Sequence, residues 1–359
     1  MVTIDDSKVP NFIVIGAGGV GVITALSLCI RSKSNVSLVV RSDYDHVREF
    51  GYQIESCDYG SFTNWRPDHL YRKVEDASKS GTFFDYVVVT TKNIPDGPVS
   101  SRVPVIIKPV MESNHYLNAK RPTNVCLIQN GIDIENDILE AFDKNLYNLS
   151  LLSGIQLIGS TKTGEGIISQ VGQDHLSVGA FDHDDSHAVA AAHAFVDMYN
   201  NSGHNIVNYD PNVRYSRWRK LLYNAAINTT TALVGLDVPR CLEFAKDKKS
   251  TEEQIFLPAM KEIIALAKSE NIELEEEYAH HFVNFSRDIM FKPSMCIDCE
   301  KGQLMELEVI LGNPLKIAER NGVSTPVLSI LYNLLFLTQS SLKEKNGLLK
   351  FDESKARIV

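Results

Sequence analysis

A short apolar run, Phe12-Ile-Val-Ile15, stops at Gly16 and opens into Gly16-Ala-Gly18-Gly19-Val-Gly21, after which residues 20–30 keep a helical period. Strand, glycine turn and helix in that order define the first βαβ unit of a doubly wound sheet, and the spacing fits G-x-G-x-x-G. Each glycine has a physical task. Gly16 makes the tight turn, Gly18 lets the backbone approach a pyrophosphate, and Gly21 lets the helix lie close on the sheet. Ala17, Gly19 and Val20 complete the loop, and the helix that follows turns unpaired N–H groups and a partial positive charge toward the phosphates. A purely structural glycine turn is the alternative; the position at the first strand-to-helix turn favours dinucleotide binding.

The second strand (residues 36–40) ends in Arg41-Ser42-Asp43. NAD-selective sites place a carboxylate there for the ribose 2′-hydroxyl, whereas a guanidinium pairs with a 2′-phosphate. Arg41 with Ser42 therefore favours NADP. Arg41 as a solvated strand end, and Asp43 as an NAD-type carboxylate, stay open as alternatives. Two more β-branched runs, 86–90 and 125–128, look buried on both faces, as parallel strands are. Residues 50–67 read as an irregular hairpin region, and the glycine-punctuated stretch 151–181 as the completion of the same sheet.

Beyond Asp210-Pro211 helical patterns take over, at 213–234, 251–269, 274–288, 294–311 and 328–342. The expectation is two domains, an α/β Rossmann-type doubly wound sheet over 1–209 that binds NADP and an all-α domain over 210–359 for substrate and catalysis. With 359 residues there is room for both. The formal charge of −9 excludes a general nucleic-acid binder, whose affinity comes from neutralising phosphates. No apolar run is long enough to span a membrane. The start, Met1 to Pro10, carries Asp5 and Asp6 and does not read as a secretory signal, and six scattered cysteines do not form a disulfide framework. These features point to the cytoplasm.

In the helical half, Lys220, Asn224 and Asn228 recur at i, i+4 and i+8 among apolar neighbours. A polar stripe in such surroundings is costly unless each group finds a partner, so it faces a cleft or forms a satisfied core network. At this point a resemblance becomes specific. The glycine loop with Arg41, Val87-Val-Val-Thr-Thr91-Lys92, Ile128-Gln-Asn130-Gly131-Ile, Trp218-Arg-Lys220 with its two asparagines, and Ser294-Met295 followed twelve residues on by Glu306 are similar to the ketopantoate reductase (2-dehydropantoate 2-reductase) family. The resemblance extends to its longer fungal members.

The resemblance implies reduction of a 2-oxo acid by NADPH in a cleft between a Rossmann domain and a helical one. It implies Lys220 as general acid, Glu306 as the carboxylate that bonds the product hydroxyl or positions the lysine, and Asn130 on the nicotinamide side, helping to hold Lys220. Thr91 and Lys92 fall near the cofactor, and Asn224, Asn228 and Ser294 line the substrate site. Two departures stand out. Phe291 and Val238 occupy positions where the pantothenate-making enzymes place substrate-contacting asparagines, so a bulkier or more apolar 2-oxo acid or ketone is the alternative substrate. A non-catalytic NADP-binding sensor is a second alternative, against which Lys220, Asn130 and Glu306 together argue. Residues 93–118, with four prolines, look like an insertion.

No metal is expected. Cys296-Ile-Asp-Cys299 lacks a second ligand pair, and His280 and His281 diverge on a helix. Residues 182–185 with His183 and His187 read as a solvated loop, and Glu273, Glu275, Glu276 and Glu277 as an exposed helix start. The apolar helix 327–337 packs internally or against a second subunit of a homodimer.

Overall fold

The computed structural model describes residues 9–359, so the first eight residues, and with them most of the segment read for a secretory signal, lie outside the described residues. The chain forms two compact units. The first takes in the chain up to Thr91, Val103–Gln129 and Glu135–Val213; the second comprises Lys92–Arg102, Asn130–Ile134 and Arg214–Val359.

The first unit is built on one mixed sheet. Its strands are β1 (Asn11–Ile15), β2 (Asn35–Val39), β3 (Tyr52–Ser56), β4 (Gly60–Trp65), β5 (His69–Tyr71), β6 (Tyr86–Val89), β7 (Thr123–Ile128), β8 (Leu149–Gly164), β9 (Ile167–Ala180) and β10 (Ile206–Tyr209). They lie in the order β4-β3-β9-β8-β7-β6-β1-β2-β5, with β10 beside β9. From β8 to β5 every neighbour is parallel, and Val and Ile side chains on both faces are buried, as the unbroken apolar runs require. Ile15 pairs with both Val39 and Val89, so the chain leaves the sheet at Gly16, Val40 and Thr90 along one edge. Between β1 and β6 the strand order reverses direction, which in open α/β sheets marks the ligand crevice. Helices α1 (Gly19–Ile30), α2 (Tyr44–Phe50), α3 (Val74–Ser78), α4 (Val103–Asn118), α5 (Asn136–Ala141) and α6 (Ser186–Tyr199) complete the unit.

Residues 50–67 form the expected hairpin, irregular at a register shift between Tyr52 and Ile54: β3 and β4 pair antiparallel, and β3 joins the main sheet beside β9. Two sequence expectations are corrected here. The segment 93–118 is not an insertion over most of its length, because α4 is the crossover that any parallel β6–β7 pair needs; Pro109 lies inside it. Residues 182–184 are the expected exposed loop, but His187, read with it, lies on α6, which Asp185 caps, its carboxylate accepting from His187 N (3.0 Å) and Ala188 N (3.1 Å).

The β8–β9 hairpin does more than finish the sheet. β8 pairs with β7 only from Leu149 to Gly154; its remaining residues, to Gly164, pair with β9 alone beyond the carboxyl edge. The register shifts at Gly159, where the two glycines Gly159 and Gly172 face each other, and such a bulge bends the arm. Its outer half reaches α1 and the end of β2: a side chain on Gly19 would stand 2.5 Å from the Ser160 backbone.

The second unit is helical, with α7 (Val213–Tyr223, its first residue in the other unit), α8 (Thr229–Val234), α9 (Val238–Glu243), α10 (Leu257–Ser269), α11 (Glu277–Arg287), α12 (Ser294–Glu300), α13 (Asn313–Asn321) and α14 (Pro326–Lys345). A small hairpin of β11 (Phe351–Asp352) and β12 (Arg357–Ile358) follows. Three π-helical turns, Asn224–Asn228, Glu252–Phe256 and Glu308–Gly312, run into α8, α10 and α13. The expected single helix over 294–311 is two. α12 stops where Gly302 turns left-handed (φ 68°), and the helix resumes only after Glu306. The helix expected from 274 begins at Glu277, behind three exposed glutamates, Glu273, Glu275 and Glu276. On α14, Leu328, Leu331 and Leu335 are buried while Ile330, Leu334 and Leu337 are exposed. Among the described residues no helix is long and apolar enough to cross a membrane, and no cluster of His, Cys, Asp and Glu could hold a metal ion.

Candidate functional site

In the first unit the glycine turn has the shape its spacing implies. Gly16 has φ 119° and abuts Thr90, whose hydroxyl donates to the Gly16 carbonyl at 2.9 Å. A side chain on Gly21 would fall on that same carbonyl, so this glycine is what lets α1 start so close to β1. Gly18, by contrast, faces open space: nothing lies within 4 Å of where its side chain would be. It stands at the amino end of α1 with no side chain capping the helix. An open glycine beside free helical N–H groups suits a pyrophosphate. Ala17 and Val20 flank it, half-buried. Thr91, after β6, gives its carbonyl to the Gln129 amide at 2.6 Å.

At the end of β2, Arg41 and Ser42 are exposed and Asp43 is buried. The Asp43 carboxylate is already engaged. Lys162 Nζ (2.5 Å) and Ser42 Oγ (2.7 Å) donate to Oδ1, and Gly166 N (3.1 Å) donates to Oδ2. Burial alone would raise its pKa; these donors outweigh burial and hold it below the ordinary value. Asp43 is thus a carboxylate spent inside the protein, while Arg41 enters no ion pair among the described residues.

The second unit gathers most of the remaining candidates. Glu306 is buried, and its oxygens accept from Asn93 N (3.0 Å) and Asn130 Nδ2 (2.9 Å), with Lys92 Nζ 3.7 Å away. Lys92 donates to Asp298 at 2.6 Å. Burial works against the Lys92 ammonium, but the two carboxylates prevail and raise its pKa. The Asn130 turn is itself pinned. Gly131, at φ 95°, sits so close to Val309 that a side chain there would meet it at 2.5 Å, Ile132 N donates to Val309 O, and Arg217 donates to the Gly131 carbonyl at 3.0 Å.

Lys220, on the last turn of α7, belongs to the same electrostatic group. Burial first, and then the cations Arg217 and Lys92, lower its pKa to about 8, with Glu306 acting in the opposite sense. Asn224 and Asn228 are buried in the π turn, where backbone bonds run i to i+5 and the regular i, i+4, i+8 stripe no longer holds. Asn228 turns to α12: its amide donates to Ser294 Oγ (3.3 Å) and its carbonyl accepts from Met295 N (2.9 Å). Ser294 itself is exposed. Val238 and Phe291, the two departures, are neighbours, the Val238 N–H pointing at the Phe291 carbonyl at 3.5 Å; Val238 is buried and Phe291 half-exposed.

Two groups were missed from sequence. Asp298 stands one helical turn after Ser294, and that spacing alone was a usable sign that both face the same way. Lys162, a lone cation in a glycine-rich strand, gave none.

The ketopantoate reductase PanE/ApbA profile matches residues 12–183, and the profile of the family's C-terminal part matches residues 212–339. The chain belongs to the ketopantoate reductase family. An uncharacterized Saccharomyces cerevisiae protein is 64% identical over 352 residues, covering 97% of this chain and 99% of its own. Among solved structures, 2-dehydropantoate 2-reductase from Methylococcus capsulatus is 29% identical with a TM-score of 0.74, over 92% of this chain and 97% of that one. D-mandelate dehydrogenase, solved with NADH and anilino(oxo)acetate, shares the fold at a TM-score of 0.74 and 21% identity, over 93% and 99% of the two chains.

Proposed function

We propose that this protein is an NADP-dependent oxidoreductase that reduces the ketone of a 2-oxo acid, with residues 1–209 serving the cofactor and residues 210–359 the substrate. The observation that carries this reading is the Lys220 amine, brought to about 8 by burial within the electrostatic reach of a carboxylate, Glu306, that is held by backbone and side-chain donors. A group with that pKa is present in useful amounts both as acid and as base near neutral pH, which is what a proton donor in turnover needs.

The glycine turn from Gly16 to Gly21 and the start of α1 would hold the cofactor's phosphates, with Arg41 and Ser42 at the 2′-phosphate and Thr91 farther along the same edge. When bound, the nicotinamide supplies a hydride to the carbonyl carbon. Lys220 Nζ, as ammonium, donates a hydrogen bond to the carbonyl oxygen, stabilises the negative charge that develops there, and passes it a proton. Glu306 keeps that ammonium favoured and accepts from the hydroxyl that forms. Asn130 and Lys92 hold Glu306, so they act as positioning groups. Ser294, set by Asn228, and Asn224 serve the substrate side.

The pairing of Val238 with Phe291 favours one refinement. Val238 and Phe291, whose backbones meet, stand where two amides are expected for ketopantoate, and neither side chain can make an asparagine's hydrogen bond, so the preferred substrate is a bulkier or more apolar 2-oxo acid. NADPH turnover with ketopantoate and with a panel of alkyl and aryl 2-oxo acids tests both levels. Turnover with an aryl or branched oxo acid above that with ketopantoate is expected; turnover with none, alongside tight NADPH binding, overturns the enzymatic reading. Lys220→Ala should lower kcat by orders of magnitude with little change in NADPH affinity, and a nearly normal kcat removes Lys220 from the mechanism.

A further inference from the structure

Asp43 lies near the end of β2, where a free carboxylate would bind the ribose diol of NAD and repel a 2′-phosphate. Its charge is already met, because Lys162 reaches it from the outer half of β8. The two residues are 119 positions apart in sequence, yet the ammonium lies 2.5 Å from Asp43 Oδ1 and 3.2 Å from Ser42 Oγ. Asp43 is buried, whereas the Lys162 side chain keeps about a third of its surface in solvent (32%). Gly166, in the turn between β8 and β9, supplies a further donor from the same arm. With Lys162 present, Arg41, Asp43 and Lys162 sum to one positive charge; without it they sum to zero, and Asp43 keeps only the neutral donors Ser42 and Gly166.

We propose that Lys162 is a cofactor-specificity residue, an internal counterion that neutralises Asp43 and so leaves Arg41 to select a 2′-phosphorylated nucleotide. The inference rests on the NADP reading above and adds the residue that makes the end of β2 compatible with it. Lys162 is a positioning residue in this scheme. Its effect passes through Asp43, which distinguishes it from a lysine that simply touches the phosphate.

The test is a double-mutant cycle read by direct binding of NADPH and of NADH to the full chain. Wild type should prefer NADPH. Lys162→Met should lower the NADPH-to-NADH affinity ratio by about tenfold or more, the scale of one charge-assisted hydrogen bond, with NADH affinity almost unchanged. Adding Asp43→Asn should restore most of the ratio, because the carboxylate that needed the counterion is gone. Lys162→Arg, which keeps the charge, should retain it. The arginine and double variants leave no unpaired buried charge and preserve the test if the methionine variant folds poorly. An unchanged ratio in Lys162→Met, equal losses for both nucleotides, or a loss that Asp43→Asn does not restore each overturns the counterion role. A wild-type ratio near one overturns the NADP reading itself, and the proposal with it.

Discussion

Replacing Lys220 by methionine should stabilise the protein while abolishing turnover. The amine is held at about 8 against an ordinary 10.5. At about 1.4 kcal/mol for each tenfold in the protonation equilibrium, the folded state therefore carries the ammonium at a cost of about 3 kcal/mol. The sign follows from linkage. Below pH 8 the lysine is protonated in both states and the full cost is present. Between pH 8 and 10.5 the folded state has released its proton and the unfolded state has not, so stability rises with pH; above 10.5 the cost is gone. Lys220→Met should thus be more stable than wild type by about 1–3 kcal/mol at pH 6.5, allowing for contacts the amine loses, and the gap should narrow by about 2 kcal/mol by pH 9.5. Urea denaturation of both proteins at the two pH values measures this. Trp218, buried two residues from Lys220, reports on the helical unit by fluorescence, and Trp65 on the other. A variant less stable than wild type at pH 6.5, or a gap that does not change with pH, refutes the reasoning. The expected result is a trade of stability for function at one position.

In the wild type, kcat/KM for oxo-acid reduction should fall as pH rises past about 8, where Lys220 loses the proton it donates. Glu306→Gln removes the charge that favours that proton, so the same limb should move to lower pH; an unmoved limb in a pH–rate series separates Glu306 from Lys220. Arg41→Ala should weaken NADPH by about tenfold or more and NADH much less, measured by fluorescence titration, and equal losses would place the 2′-phosphate elsewhere. Gly131→Ala combines a left-handed φ of 95° with a clash on Val309. It should destabilise the chain by about 2–4 kcal/mol and lower activity with it, as thermal melts and turnover assays would show.

What the sequence made legible were features with a local cause. β1, β2, β6 and β7 announce themselves as β-branched runs, and the turn at Gly16–Gly21 follows from the positive φ of Gly16 and the lack of room for a side chain at Gly21. The break inside 294–311 was also locally written, in Gly302, but an amphipathic period running through it masked the stop. The π turns had no comparable sign, because a one-residue change of helical pitch is set by what packs around it. Asp298 on Lys92 and Lys162 on Asp43 join residues 206 and 119 positions apart, and no spacing rule encodes such pairs. The polar stripe read at i, i+4 and i+8 does not carry through the π turn, and Asn228 spends its amide holding the start of α12.

The arm formed by β8 and β9 also bears on the order in which the molecule matures. β1, α1 and β6 are all complete in the chain before residue 90, but the ammonium that meets Asp43 arrives only with residue 162. A ribosome-bound fragment ending before β8 would carry the turn, the guanidinium and an unneutralised aspartate. On the proposed counterion role, discrimination between the two nicotinamide nucleotides would be acquired late in synthesis, by closure of a long-range hairpin.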